Sequence, residues 1–90
     1  EDYQVKLTRI DENKIIVDAS YKIDELENLF GIKIKATDNE EIDTVGGLVL
    51  YIADKVPKIK EIFSFNNQLQ FKILNANERR IITLEIEKTI

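Results

Sequence analysis

The 90-residue sequence contains neither cysteine nor histidine. Without cysteine the chain has no disulfide, no thiolate nucleophile and no sulfur ligand for zinc or an iron–sulfur cluster. Without histidine it lacks the commonest general base and metal ligand near neutral pH. These two absences exclude much of enzyme chemistry, and we predict that the chain is not an enzyme.

Long apolar runs are also absent. The longest strictly apolar stretches, such as residues 48–52, cover only four or five residues, whereas a membrane-spanning helix needs about 20. The sequence has no basic start followed by an apolar run and a small-residue cleavage site, as a signal peptide requires. We therefore predict no direct membrane insertion by this segment.

The remaining composition is that of an ordinary folded domain. The net charge is −4, which opposes nucleic-acid binding, because duplex affinity depends on clustered Lys and Arg. With 43% hydrophobic and 33% charged residues, we expect one domain over 1–90 with one core. Because the sequence begins Glu1-Asp2 and lacks methionine, we expect it to be part of a longer chain.

Alternation and turn residues predict a hairpin within residues 4–18. Val5 and Leu7 alternate with polar residues, and a polar turn begins at Asp11. A β-branched run follows at residues 15–17, as expected of a second strand.

Residues 23–30 have apolar side chains at helical spacing, which predicts a short amphipathic helix. Gly31 is suited to end it in a left-handed conformation. Its acidic residues are Asp24, Glu25 and Glu27, which invite comparison with a catalytic carboxylate pair. Their position in the first turns, where negative charge stabilises the helix dipole, favours a structural role.

A second helix is predicted in the stretch "DTVGGLVLYIADKVP", residues 43–57. Asp43 or Thr44 would cap it. Pro57 forces the preceding residue toward extended geometry, so the helix should stop at about Asp54 or Lys55. Apolar residues occur on most of its sides, which predicts a helix buried between layers.

From residue 61 the apolar period changes to two, which is typical of strands. Residues 66–68 and 75–78 supply turn residues between three such runs. The sequence thus predicts an α+β fold, in which an antiparallel sheet packs with two short helices. The sheet would consist of the N-terminal hairpin and a C-terminal three-stranded meander.

The adjacent glycines, Gly46 and Gly47, admit three interpretations: a phosphate cradle, a close backbone contact, or a plain loop. A phosphate loop needs free N–H groups with a Lys and a Ser or Thr, and here leucine follows the glycines. Two glycines in the first turns of a helix cost roughly 2 kcal/mol, which a close approach of another backbone would offset. The packing interpretation is favoured.

Two charged clusters also invite functional interpretations. The acidic one resembles only fragments of a calcium-binding loop, so a solvated loop is favoured; it comprises Asp38, Glu40, Glu41 and Asp43. The basic one could bind a nucleotide, an anionic lipid surface or an acidic partner domain, or remain simply solvated. We call it the candidate interaction patch, and it comprises Lys55, Lys58, Lys60, Arg79 and Arg80.

Three segments in order, "KIIVDASYKIDELENLFGI", "DTVGGLVLYIADKVPK" and "FSFNNQLQFKILNANERRIITLEI", resemble the transporter-associated domain of CorC/HlyC-type proteins. The resemblance covers about residues 14–87. Its structural signature here is Asp43, Thr44, Gly46, Gly47 and Pro57.

The sequence departs from the family pattern at four places. Ala19 stands where the family often has glycine, and Tyr21-Lys22 replaces a Thr-Pro pair, which weakens the cap of the first helix. Lys60 and Asp54 occupy positions where glycine is common. These changes concern local turn geometry.

The resemblance implies a fold similar to one layer of certain FAD-binding domains and a regulatory, non-catalytic role. The implied protein is hemolysin-like or a CorC-type magnesium and cobalt efflux protein. Expected partners are neighbouring CBS and membrane domains or a second copy of the domain, at the cytoplasmic, inner face of the membrane. We expect no cofactor; the alternative is a small-molecule sensor that binds FAD or an adenine nucleotide.

Overall fold

A computed structural model describes residues 7–34 and 42–89. These residues form five strands and two helices, in the predicted order of hairpin, two helices and meander. The elements are β1 (Leu7–Asp11), β2 (Lys14–Asp18), α1 (Ile23–Phe30), α2 (Val45–Ala53), β3 (Ile62–Phe65), β4 (Leu69–Ala76) and β5 (Ile81–Lys88). Neither of these helices is long and apolar enough to cross a membrane.

The strands form one antiparallel sheet in the order β1-β2-β5-β4-β3. The predicted hairpin is β1–β2, and the predicted meander is β3–β4–β5. The two parts meet at β5, where Glu87 pairs with Lys14 of β2 on one side and with Gln70 of β4 on the other. The predicted α+β fold class is confirmed.

One face of the sheet carries the core. Alternate residues of β2 and β4 are buried, and those of β5 follow the same rule over Leu84 and Ile86. Full burial of one such side chain contributes about 1.5 to 3 kcal/mol. The cluster also includes buried residues of both helices, and its fully buried members are Ile15, Val17, Leu26, Val45, Leu48, Val49, Leu69, Phe71, Ile73, Ile81, Leu84 and Ile86.

The edge strand β1 is exposed along its whole length. Arg9 donates from its guanidinium to the carbonyl oxygens of Asp11 (3.1 Å) and Glu12 (2.8 Å), which closes the hairpin turn. A register shift lies between Arg9 and Asp11, at Ile10. Such irregularities disfavour pairing of an edge strand with another sheet. The part of the predicted hairpin over 4–6 lies outside the described residues.

Helix α1 spans the predicted residues and ends at Gly31, which has φ 66°. Its N-cap, Lys22, makes no side-chain capping bond, as the missing Thr-Pro pair predicts. Backbone contacts compensate, since Ile23 N–H donates to Asp43 O at 2.9 Å. The connection between Phe30 and Ile34 is held by Glu27, whose carboxylate accepts from Ile34 N–H at 2.6 Å.

Helix α2 ends at Ala53, with Asp54 in the left-handed conformation at φ 63°. The predicted end at Asp54 or Lys55 is therefore one or two residues too late. The prediction of a helix buried between layers is wrong for its second half. Val45, Gly46, Leu48 and Val49 are buried, whereas Tyr51 is 54% exposed. The apolar side chains on the other sides of this helix are therefore partly exposed to solvent.

Both turns of the meander use residues of the predicted type. Asn66 and Asn67 have φ values of 54° and 56°, a left-handed conformation that asparagine tolerates better than most residues. The predicted turn at 75–78 is displaced, because β4 continues to Ala76 and the turn covers residues 77–80. Register shifts on either side of Asn75 allow this extension.

Candidate functional site

The start of α2 has no free N–H groups to hold a phosphate. Val45 N–H donates to Tyr21 O at 2.9 Å, and Gly46 N–H donates to Ala19 O at 2.9 Å. Gly47 N–H donates to the Thr44 hydroxyl at 3.1 Å. Thr44 is therefore the N-cap that stabilises the helix start. The N–H groups that a phosphate cradle requires are already bonded to protein atoms.

Gly46 lies where the helix contacts the connection after β2. A Cβ at this position would lie 2.7 Å from the Ala19 Cβ and 2.9 Å from the Ala19 carbonyl oxygen. Both distances are shorter than a van der Waals contact, so only glycine fits without a shift of the backbone. At Gly47 an added Cβ would lie 3.2 Å from the Thr44 hydroxyl oxygen, which is tight against the capping bond. The first glycine thus permits packing, and the second leaves room for the cap.

Asp43, the other predicted cap, has a different role. Its carboxylate accepts a hydrogen bond from Lys22 Nζ at 3.1 Å, and its carbonyl oxygen accepts from Ile23 N–H. Lys22 and Thr44 also form an isolated antiparallel bridge. The residues before both helices are therefore joined to each other. Pro57, the last signature residue, is buried after α2.

Asp18 and Ser20 form a compact turn at the end of β2. The Asp18 carboxylate accepts from the Ser20 hydroxyl at 2.6 Å and from Ser20 N–H at 2.9 Å. The hydroxyl hydrogen bond lowers the pKa of the Asp18 carboxyl; partial burial opposes this, and the Ser20 N–H and the nearby charge of Arg80 reinforce it. The spacing Asp-x-Ser after a strand is a sequence signal for this turn, which the sequence-based predictions did not include.

An open groove of about 340 Å³ lies beside the first half of α2. Arg80 stands in its wall, near Asp18. The other lining residues are small or apolar, apart from two hydroxyls, and they are Ala19, Ser20, Thr44, Gly46, Gly47, Leu50 and Ile81. The sequence did not predict this groove, because its two walls are far apart along the chain.

The candidate interaction patch falls into two connections. Lys55, Lys58 and Lys60 lie between α2 and β3, and Arg79 and Arg80 lie between β4 and β5. The sheet register brings both connections to the same end, where β4 ends and β3 and β5 begin. All five residues are exposed.

The acidic residues of α1 and of the loop before α2 have structural roles, as far as they fall within the described residues. Of the acidic run, Asp38, Glu40 and Glu41 lie outside the described residues. In α1, Glu27 holds the segment after the helix, and Asp24 and Glu25 are exposed in the first turn. Over residues 7–34 and 42–89, no group of three or more acidic side chains is placed to hold a metal ion.

Tyr21 and Glu25 lie close enough to interact. Burial raises the pKa of the Tyr21 phenol, and the charge of Glu25 adds to the increase. The phenol is therefore neutral at physiological pH, and this side chain acts as part of the core.

Comparison with known proteins identifies the family. The chain matches the family model of the transporter associated domain, CorC_HlyC, over residues 8–89. It is 31% identical over 77 residues to the "Possible hemolysin C" of Rickettsia bellii (strain OSU 85-389), which covers 86% of this chain and 26% of that protein. It is 32% identical over 80 residues to the "Magnesium and cobalt efflux protein CorC" of Buchnera aphidicola subsp. Baizongia pistaciae, which covers 89% of this chain and 27% of that protein.

The fold is shared as well. A crystal structure of a region assigned to an Mg²⁺ and Co²⁺ transporter (CorC) of Neisseria meningitidis MC58 matches with a TM-score of 0.79 and 27% identity. The match covers 91% of this chain and 96% of that one. This chain spans about a quarter of the length of the curated relatives it matches. The family match runs from the second residue of β1 to beyond the end of β5, and the chain belongs to the transporter associated domain family of CorC/HlyC proteins.

Proposed function

We propose that this chain is a non-catalytic accessory domain of a hemolysin-like or CorC-type magnesium and cobalt efflux protein, in which it modulates ion transport. The observation that carries this proposal is the family match over residues 8–89, together with 32% identity to a protein named for magnesium and cobalt efflux. Because the chain spans only about a quarter of such relatives, the transport step itself would belong to other parts of the longer protein.

The chemistry of the described residues supports a role in binding rather than catalysis. The polar groups at the start of α2 are bonded to each other and to the backbone of the β2–α1 connection. The Asp18 carboxyl is kept ionised by its neighbours, which suits a structural turn and not a proton donor. The sequence contains no histidine or cysteine to act as a nucleophile or base.

The proposed mode of action is contact between domains. Half-exposed apolar residues and the candidate interaction patch offer surfaces for neighbouring CBS and membrane domains, or for a second copy. We place the domain at the cytoplasmic, inner face of the membrane. Because α2 packs closely against the connection after β2, a force applied at one surface would move the domain as one rigid body.

Transport by the full-length protein tests this proposal. Magnesium and cobalt efflux from cells would be measured for the parent, for a version without this domain, and for Lys58→Gln with Lys33→Gln as the matched control. We expect the shortened protein to keep transporting with an altered rate or an altered response to ion concentration. Identical rates and responses with and without the domain would contradict the proposal, as would complete loss of transport in a correctly inserted protein.

A second candidate function is a sensor for FAD or an adenine nucleotide. The groove beside α2 favours it, because Arg80 and the hydroxyls of Ser20 and Thr44 line an otherwise apolar depression. Calorimetric titration of the purified chain with FAD, ATP and AMP tests it. Submillimolar binding that is lost in Arg80→Gln would support the sensor and overturn the purely structural proposal. The absence of binding would remove the sensor.

A further inference from the structure

The connection between α2 and β3 presents an isoleucine between lysines. Ile59 is 50% exposed, and its neighbours Lys58 and Lys60 are exposed on either side. Lys55 stands in the same connection. A half-exposed isoleucine is ordinary when it stands alone, but here it is at the apex of a turn, between two exposed lysines.

The turn is held in one conformation. Glu61 N–H donates to Lys58 O at 3.1 Å, and Lys58 N–H donates back to the Glu61 carboxylate at 2.7 Å. Lys60 N–H donates to Ile73 O on β4 at 2.6 Å. Lys60 has φ 78°, as the third residue of a type II turn requires, and glycine would adopt this conformation at lower cost. The apex that carries Ile59 is therefore anchored to the sheet.

A second basic turn lies at the same end of the sheet. Arg79 and Arg80 are placed there by Asn77, whose side-chain oxygen accepts from their N–H groups at 2.8 and 3.0 Å. In the described part of the chain the salt bridges are Lys14–Glu85 and Lys22–Asp43, so none of the five cations of the candidate interaction patch forms one there. Arg80 alone has a carboxylate, that of Asp18, close enough to interact with its charge. Three acidic residues share these connections, and one of them, Glu61, is engaged by a backbone N–H.

The two basic connections carry a local excess of positive charge, since their five cations outnumber the three acidic residues that share them. Five of the domain's thirteen cations lie at this end, while the chain as a whole carries seventeen acidic residues and a net charge of −4. An anionic plane attracts such a local excess of positive charge even when the net charge of the chain is negative.

We propose that this end of the domain makes peripheral contact with the surface of an anionic phospholipid bilayer. Lysines near an anionic surface are attracted to the headgroups, and the half-exposed Ile59 would sit among the headgroups and the first acyl carbons. A lipid surface offers both environments at once, anionic headgroups for the lysines and acyl carbons for the isoleucine. The contact lies on the surface and involves no spanning segment.

Binding to vesicles tests the charge. The purified chain would be sedimented with phosphatidylcholine vesicles with and without phosphatidylglycerol, at low and high salt. We expect binding only to the anionic vesicles and its loss at high salt. Each of Lys58→Gln and Lys60→Gly should weaken the partition roughly fivefold, whereas Lys33→Gln, the same charge change in the α1–α2 connection, should weaken it far less. Lys60→Gly is informative because it relieves the left-handed turn and so should leave the fold intact.

Fluorescence tests the orientation. The chain has no tryptophan, so a single introduced one reports on its own site. Ile59→Trp should shift its emission to shorter wavelength on anionic vesicles. Ile10→Trp is the matched control, since Ile10 is also 50% exposed but lies near the hairpin turn at the opposite end of the sheet.

Three results would overturn the proposal: no binding to anionic vesicles, equal loss in Lys33→Gln and Lys58→Gln, or an emission shift at position 10 as large as at position 59. Binding to an acidic polypeptide but not to vesicles would also overturn the proposal, because the partner would then be a protein. The outcome is independent of the transport experiment, because a domain can modulate efflux without touching lipid and can touch lipid without altering efflux.

Discussion

Replacing Gly46 with alanine tests the contact between α2 and the connection after β2. The new Cβ would lie 2.7 Å from Ala19 Cβ and 2.9 Å from Ala19 O, so one backbone must move. That movement would also stretch the 2.9 Å hydrogen bond from Gly46 N–H to Ala19 O.

The expected change in stability follows from three contributions. Alanine gains about 0.8 to 1 kcal/mol in helix propensity. Overpacking costs about 1 to 3 kcal/mol, and the weakened hydrogen bond costs up to about 1 kcal/mol. These contributions sum to a loss of about 0 to 3 kcal/mol, and from the middle of that range we expect the free energy of unfolding to fall by about 1.5 kcal/mol, measured by urea denaturation with circular dichroism.

Two further variants make the test specific. The Cβ of Gly47→Ala would lie 3.2 Å from the Thr44 hydroxyl and at an ordinary contact distance of 3.8 Å from Ile42 Cγ2, so its effect should stay within about 1 kcal/mol of the parent. Ala19→Gly in the Gly46→Ala background removes the shortest contact, between the two Cβ atoms. In a double-mutant cycle it should therefore be less destabilising in that background than in the parent. A Gly46→Ala chain at least as stable as the parent would refute the reasoning, as would a cycle with no coupling.

Other positions give equally direct expectations. Lys60→Gly and Asp54→Gly, at φ 78° and 63°, should each raise the free energy of unfolding by about 1 kcal/mol, and a lower melting temperature would argue against strain there. Thr44→Ala should lower the free energy of unfolding by about 1 kcal/mol through loss of the cap, a change that denaturant titration resolves. For Asp18, NMR titration should give a carboxyl pKa below the usual aspartate value, and Ser20→Ala should raise it. Because the folded pKa is depressed, the stability contributed by Asp18 is present above the unfolded pKa and is lost as pH falls through the folded pKa. Asp18→Asn should therefore make the free energy of unfolding depend less on pH in the acid range. An unchanged pH dependence would count against this linkage.

Local signals predicted most of the fold. Gly31 marks the end of α1 because its left-handed conformation suits glycine, and the period of two in β4 and β5 marks one buried face. These signals operate within a few residues, so they need no knowledge of the tertiary structure.

The errors come from contacts between distant residues. Spacing shows that α2 is apolar, but it cannot show that Tyr51 points to solvent while Leu48 is buried, since that depends on where the sheet lies. The length of β4 depends on register shifts against β5 around Asn75, which leave no pattern in β4 itself.

The candidate site was predictable in part. The glycine pair and the missing lysine indicated packing over phosphate binding, but only the structure identifies Ala19 as the contact and Thr44 as the cap. The basic residues were visible in the sequence. That Ile59 lies at an exposed apex among them depends on the turn that Glu61 and Ile73 hold.

The position of β5 has a consequence for biogenesis. It is the last of the five strands in sequence, yet it is the one that joins the hairpin to the rest of the sheet. During translation β2 therefore waits with an unpaired edge until residues 81–88 have left the ribosome, and a nascent chain that stops short of them cannot close its sheet. The sheet of this domain is therefore completed only after its last strand has been synthesised.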